Sequence, residues 1–173
     1  MIYLDCDGVL ADFAKWILEI NNIAFKNDFQ LTSTLLQHYK EAFLMSETTK
    51  QGMDLLSKIK EENFEYKILT SLPKIDPFLK YYPHLQTSYK ESGKMLDIDF
   101  IFQTFAKNKI QWCVDKLSVP CQNVITVSNQ GDKMLFCKGF GDVLYDDNPK
   151  TIQQWISNGG DGRLVNYSIL GER

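Results

Sequence analysis

Short apolar runs alternate along the chain with segments whose apolar residues recur at helical spacing. The runs MIYLD, YKILTS, QNVITVS, DVLYDD and GRLVNY are short and rich in apolar residues, as expected for strands buried in a sheet. Between the first two runs a helical pattern begins near Asp12, with apolar residues at Phe13, Trp16, Ile17 and Ile20. Strands that alternate with helices predict an α/β fold with a parallel central sheet covered on both faces.

Further helices are predicted within LTSTLLQHYKEAFLM, SETTKQGMDLLSKIKEE, FIFQTFAKNKIQWCVDKL and PKTIQQWISNGG. In the last of these, Pro149 takes the favoured first turn, and Gly159 and Gly160 supply the stop. Residues 72–99 contain Pro73, Pro77 and Pro83, which predict broken helix and loop.

The length of 173 residues fits one domain with a small insertion. The net charge is −3, and Arg163 and Arg173 are the only arginines. Stable binding of nucleic acid is therefore not expected, and a phosphate group would be held by lysine, backbone or metal. Self-association into a homodimer is left open.

No apolar run approaches the roughly 20 residues that cross a bilayer. The N-terminus also lacks the basic, apolar and small-residue regions of a signal peptide. We therefore expect a cytoplasmic protein without a membrane partner. The four cysteines lack the paired spacing of a zinc site and are expected to be reduced thiols.

Polar residues follow several of the predicted strands, where a parallel sheet binds its ligands. They are Asp5 and Asp7 after the first strand, Thr70 and Ser71 at the end of the second, Lys133 in the loop after the third, and Asp146 and Asp147 after the fourth. A parallel sheet brings the carboxyl ends of its strands to one edge, so the sequence predicts a single polar site there.

Phosphoryl transfer through an aspartyl-phosphate fits this set of side chains. One aspartate attacks phosphorus, and a second, two residues further on, protonates the leaving oxygen. A lysine and a hydroxyl hold the charge that spreads over the phosphoryl oxygens. Mg²⁺ would offset the repulsion among the carboxylates, which otherwise raises at least one of their pKa values.

Each feature also has an ordinary structural explanation. Aspartates at strand ends cap helices and bind local backbone, and the pair Thr70–Ser71 is a common helix cap. Asp146 and Asp147 suit an acidic turn before the helix that Pro149 begins. Lysines are mostly on the surface, with Lys138 an alternative to Lys133, and Phe13 is in phase with the apolar residues of its helix. The occurrence of all four groups at the expected positions favours the phosphate site.

These motifs resemble those of the haloacid dehalogenase (HAD) superfamily of phosphatases. DCDGVL is similar to the first motif, ILTS to the second, Lys133 to the third and LYDDNP to the fourth. The longer strings DCDGVLADF and DDNPKTIQQWISNGG are closest to the 5'(3')-deoxyribonucleotidases. The motifs extend over residues 1–167 in the family's order. The resemblance implies a three-layer, Rossmann-like core of residues 1–13 and 61–173, with residues 14–60 as a small helical cap inserted after the first strand.

The resemblance also implies catalytic roles. Asp5 would be the nucleophile and Asp7 the general acid and base. Thr70, Ser71 and Lys133 would bind the phosphoryl group.

Metal and substrate contacts are implied in the same way. Mg²⁺ would be held by Asp5, the backbone carbonyl of Asp7 and Asp147, with Asp146 behind Asp147. Phe13 would lie beside the substrate.

The chain departs from the nucleotidase pattern in places that concern the substrate. Leu72 follows Thr70–Ser71 where those enzymes have proline, Asn148 replaces a usual basic residue, and the cap is short. The implied activity is a Mg²⁺-dependent phosphomonoesterase for (deoxy)ribonucleoside monophosphates. The alternatives are a phosphatase for another ester, such as a sugar phosphate or a polynucleotide 3'-phosphate, and a nucleotide-binding protein without turnover.

Overall fold

A five-stranded parallel sheet forms the centre of the protein. In the computed structural model, residues 1–12, 15, 44–72 and 98–165 are described. The strands are β1 (Ile2–Leu4), β2 (Tyr66–Ser71), β3 (Val124–Val127), β4 (Val143–Asp146) and β5 (Asp161–Leu164). Their order in the sheet is β3-β2-β1-β4-β5, and every pairing is parallel. The predicted α/β class is therefore confirmed, with each strand inside or next to its predicted run.

Helices cover both faces of this sheet. They are α1 (Lys50–Glu61), α2 (Ile98–Leu117) and α3 (Pro149–Ser157). The caps have chemical causes, since the hydroxyl of Thr49 accepts a hydrogen bond from the Gly52 amide and the side chain of Asn148 accepts from the Lys150 amide. Pro149 stands in the first turn of α3, as predicted. These elements complete a three-layer, Rossmann-like arrangement.

Two apolar clusters, one on each side of the sheet, form the core. One cluster contains Leu4 of β1 with Leu56 of α1 and Trp112 of α2. The other contains Tyr3 of β1 with Trp155 of α3, whose rings meet edge to face with centroids 5.3 Å apart. Neighbouring residues of β1 thus point to opposite faces, and both faces are buried.

The segment of Lys133 differs from its prediction. The sequence places this residue in a loop, but Gln130–Phe136 forms a 3₁₀ helix that begins with a capping box between Asn129 and Asp132. The reciprocal side-chain hydrogen bonds of this box stabilise a short helix. Its sequence has no apolar periodicity that would predict a helix. Lys133 points inward from it and is fully buried.

The two ends of the insertion after β1 meet in a paired backbone neck. Ala11 forms an antiparallel bridge with Thr48, and the Asp12 amide donates to the Glu47 carbonyl at 2.8 Å. The predicted cap, residues 14–60, begins just after the first segment of this neck, and its last part, α1, follows the second. Most of it, and all of residues 73–97, lies outside the described residues, while α1 packs its Leu56 in the same cluster as β1.

Helix α1 holds the loop that follows β1. The Thr49 hydroxyl donates to the Val9 carbonyl, and the Thr49 amide donates to the Leu10 carbonyl at 2.8 Å. Gly52 lies against the same loop, so a Cβ at this position would overlap the Val9 carbonyl oxygen and approach the Leu10 Cα to 2.9 Å. The contact requires glycine because the neighbouring atoms are backbone.

Gly52→Ala is expected to destabilise the protein although alanine favours helices. The helix gains about 1 kcal/mol of propensity, whereas forcing a methyl group into packed backbone costs about 1–3 kcal/mol and displaces the loop. Urea unfolding should show a lower midpoint for this variant. Ser57→Ala, at an exposed position of the same helix, is the matched control and should unfold at or above the wild-type midpoint.

No helix among the described residues is both long and apolar enough to cross a membrane.

Candidate active site

The polar site lies where the chain reverses its direction across the sheet. From β1 the chain proceeds through β2 to β3 on one side, and then crosses to β4 and β5 on the other. Ligands of parallel sheets bind outside the carboxyl ends of strands at such a reversal. Asp5 follows β1 at this edge, and Asp146 ends the neighbouring β4.

Asp5 is a buried carboxylate fixed by its own loop. Its backbone amide donates to the Tyr145 carbonyl at 2.9 Å, which extends the pairing of β1 with β4. Its Oδ1 accepts a hydrogen bond from the Cys6 amide at 2.8 Å. The chain then turns back, because the amides of Leu10 and Ala11 both donate to the Cys6 carbonyl. The carboxylate therefore has a defined orientation at the end of the central strand.

Lys133 neutralises this part of the site. Its Nζ lies 2.9 Å from Asp5 Oδ1 and 2.7 Å from Asp146 Oδ2. Burial alone lowers the pKa of Lys133, but the charges of Asp5 and Asp146 outweigh it and raise the pKa above its usual value. The ammonium therefore stays charged at neutral pH. Lys138, the alternative from the sequence, is exposed.

Asp146 and Asp147 complete a cluster of three carboxylates. Oxygen atoms of Asp5, Asp146 and Asp147 lie within 4.8 Å of one another. Asp146 is buried, and its two oxygens accept from Lys133 and from the Asn148 amide at 2.8 Å. Asp147 is more exposed than Asp146 as a residue, and its carboxylate lies beside this pair and close to Gly8. The assignment of Asp147 as the direct ligand of a cation, with Asp146 behind it, stays a prediction.

Negative charge in this cluster is only partly compensated by protein groups. Burial, together with the charge of Asp5, raises the pKa values of both Asp146 and Asp147 to about 6. A carboxylate with a raised pKa binds its proton more tightly in the folded protein than in the unfolded chain. The unfolding free energy therefore falls as the pH rises from about 4 to about 6 through these groups. A divalent cation with oxygen ligands would offset this cost, and the donor set fits Mg²⁺.

Gly8 lets the first loop approach this cluster. Its φ of +79° lies in the left-handed region, and a Cβ there would overlap the carboxylate of Asp147. Glycine in the DCDGVL motif is thus explained by both its backbone conformation and its distance from the acidic group.

Asn148, where the nucleotidase pattern has a basic residue, has a structural role in this chain. Its Oδ1 accepts from the Lys150 amide at 2.9 Å and so begins α3. Its Nδ2 donates to Gln130 Oε1 at 3.0 Å. The residue therefore joins the loop of the carboxylates to the 3₁₀ helix of Lys133.

Thr70 and Asp7 lie on the other side of Asp5, and a second lysine joins them. Lys109 of α2 is fully buried, and its Nζ donates to Thr70 Oγ1 at 2.8 Å and to the Ser71 carbonyl at 2.7 Å. It also donates to Asp7 Oδ2 at 2.5 Å. The structure thus assembles Asp5, Asp7, Thr70, Ser71, Lys133, Asp146 and Asp147 at one edge.

Lys109 is absent from the predicted site, although the sequence contains a signal for it. In α2 the buried positions Phe105, Trp112, Cys113 and Leu117 form one stripe, and Lys109 falls in phase with them. A lysine in an apolar stripe needs a buried partner, because burial of an unpaired ammonium is costly. Its partners are distant in sequence, so the pattern alone does not identify them.

Phe13, predicted to lie beside the substrate, is outside the described residues. No model of a known protein family matches the chain, and no curated protein is significantly similar to it. The function is therefore inferred from the geometry of the site together with the motifs that the sequence contains.

Proposed function

We propose that this protein is a Mg²⁺-dependent phosphomonoesterase of the HAD type that acts on nucleoside monophosphates in the cytoplasm. The observation that carries the proposal is the surroundings of Asp5. Its carboxylate ends the central strand, contacts a buried lysine, and lies beside two further carboxylates with raised pKa values. A carboxylate suited to act as a nucleophile, a compensating lysine and a cluster of carboxylates with uncompensated negative charge thus occur together.

The reaction would have two steps. A carboxylate oxygen of Asp5 attacks phosphorus as the bond from phosphorus to the alkoxide oxygen breaks, and Asp7 gives its proton to that oxygen. Asp7 then takes a proton from a water molecule whose oxygen attacks phosphorus. The bond between phosphorus and Asp5 breaks, and phosphate leaves.

The remaining residues would position and stabilise charge. Thr70 and Ser71, at the end of β2, would bind phosphoryl oxygens, and Lys133 would compensate the charge near Asp5. Mg²⁺ would be held by Asp5, the Asp7 carbonyl and Asp147, and would supply electrostatic stabilisation of the transferred group. Burial, above all, raises the pKa of Asp7, which suits a residue that must hold a proton before it donates it.

The choice of nucleotides rests on the similarity of DCDGVLADF and DDNPKTIQQWISNGG to the deoxyribonucleotidases. The phosphatase chemistry rests on the site itself. These two parts of the proposal can therefore fail separately.

Phosphate release from a panel of esters tests both parts. The panel contains 5'- and 3'-monophosphates of deoxyribonucleosides and ribonucleosides, a sugar phosphate and an aryl phosphate, each with Mg²⁺ or with a chelator. We expect release to favour nucleoside monophosphates and to fall by about a hundredfold or more with chelator, because the metal stabilises the transition state by several kcal/mol.

Other outcomes would contradict the proposal in distinct ways. Preference for the sugar phosphate would retain the roles of Asp5 and Asp7 but exclude nucleotides as the substrate. Binding of a nucleoside monophosphate without release from any ester would indicate a binding protein instead. Unchanged release after chelation would exclude the metal.

A further inference from the structure

Lys109 connects two elements of the site from a third. It lies on α2, whereas Asp7 belongs to the loop after β1 and Thr70 to the end of β2. Its ammonium donates to Asp7 Oδ2, Thr70 Oγ1 and the Ser71 carbonyl at 2.5, 2.8 and 2.7 Å. Three acceptors in different directions fix the position of an ammonium group, which has three donors. The lysine is therefore part of a rigid frame rather than a mobile surface charge.

The two carboxylate oxygens of Asp7 have different surroundings. Oδ2 is held by Lys109 in a charge-assisted hydrogen bond. Oδ1 is buried and has no hydrogen-bond partner among the described residues. A buried carboxylate oxygen without a partner is costly, so it commonly marks a position that a ligand, water or proton completes.

We propose that Lys109 is a positioning residue for proton transfer by Asp7. By holding Oδ2 in this hydrogen bond, it fixes the orientation of the Asp7 carboxylate. The assignment rests on the proposed phosphatase function and extends it to a residue outside the four motifs.

The proton follows a defined course in this scheme. In the first step the proton on the Asp7 carboxyl passes to the alkoxide oxygen as its bond to phosphorus breaks, and Asp7 becomes a carboxylate. In the second step Asp7 takes a proton from the attacking water. Lys109 keeps its own protons throughout, because it acts through Asp7 and not on the substrate.

If Lys109 acts through Asp7, the effect of removing it on the cleavage rate depends on the leaving group. If Lys109 instead binds phosphate directly, the effect does not depend on the leaving group. An alkoxide is a poor leaving group and needs the proton, whereas a nitrophenolate leaves without one. Loss of correct positioning should therefore slow the cleavage of an alkyl phosphate much more than that of a nitrophenyl phosphate. Loss of a phosphate-binding residue should slow both equally.

The experiment compares Lys109→Met with wild type on a nucleoside monophosphate and on a nitrophenyl phosphate. Single-turnover rates report the first step for the nucleotide, and the burst of nitrophenolate reports it for the aryl ester. We expect the rate of the first step to fall by about 10²–10³-fold for the nucleotide. For the aryl ester the fall should be at least about tenfold smaller, and KM should change little for both esters. Asp7→Asn should show the same dependence, and Lys109→Met should add little to it in the double variant.

Controls keep the assignment falsifiable. Lys107→Met changes an exposed lysine of the same helix and should behave as wild type. Circular dichroism and a cooperative urea-unfolding transition check that Lys109→Met is folded, and Lys109→Gln takes its place in the same comparison if it is not.

Three results would overturn the assignment. Equal losses on both esters with weaker binding of inorganic phosphate would make Lys109 a phosphate-binding residue. Wild-type rates on both esters would exclude a role in the reaction. A wild-type protein inactive on both esters would overturn the proposed function itself, and this assignment with it.

Discussion

Asp5→Asn is expected to abolish turnover while the protein remains folded. The amide is isosteric with the carboxylate and retains an oxygen that can accept from the Cys6 amide and Lys133. It is a very poor nucleophile, so phosphate release should fall by about 10⁴-fold or more. The unfolding free energy should change by less than about 2 kcal/mol, since Lys133 keeps its bond to Asp146 and one repulsive charge is removed.

Steady-state phosphate release and urea unfolding measure these two effects on one preparation. Asp115→Asn is the control, because Asp115 is an exposed carboxylate of α2 that accepts a side-chain hydrogen bond from Gln111. It should retain wild-type activity. If Asp5→Asn kept a substantial fraction of turnover, Asp5 would not be the nucleophile, and Asp146 or Asp147 would have to take that role.

Lys133→Met is expected to impair both activity and stability. Methionine fills a similar volume but leaves Asp5 and Asp146 without the cation that lies 2.9 and 2.7 Å from them. Removal of one partner from a buried ion pair costs about 3–5 kcal/mol, because the remaining charge has lost its compensation. Turnover should also fall, since Asp5 would lose the group that orients it.

The pH dependence of this loss tests its electrostatic origin. Lys133 lowers the pKa of Asp146, so without it a proton binds Asp146 more tightly in the folded variant than in wild type. The destabilisation by Lys133→Met should therefore be smaller at about pH 5 than at about pH 7. Urea unfolding at both pH values measures it, with the exposed Lys150→Met as control. Equal destabilisation at both pH values would point to lost packing instead.

Much of the fold could be predicted because the strands are buried on both faces. Such strands appear in sequence as short apolar runs, and the residues after them fall at one edge of a parallel sheet. Asp5, Thr70 and Asp146 therefore could be placed together from the sequence. Pro149 also predicted the start of α3, because proline is favoured in the first turn of a helix.

The remaining features depend on contacts between residues that are distant in sequence. Lys109 forms a hydrogen bond with Asp7, which is 102 residues away in sequence. The local sequence around either residue does not identify the other as its partner. The 3₁₀ helix of Lys133 is stabilised by two side chains in its capping box and not by periodicity. The need for glycine at position 52 is visible only where α1 meets the loop after β1.

The backbone neck between Ala11 and Thr48 has a consequence for how such a protein can change over evolution. Because both ends of the insertion are anchored next to one another, the insertion is a loop whose ends are closed at the core. The entropy of closing such a loop grows only with the logarithm of its length, by about 0.6 kcal/mol for each doubling. The segment between the two anchors can therefore be lengthened, shortened or changed in sequence at a small cost in folding free energy. Selection can then alter this segment while the acidic cluster, Lys133 and Lys109 keep their geometry.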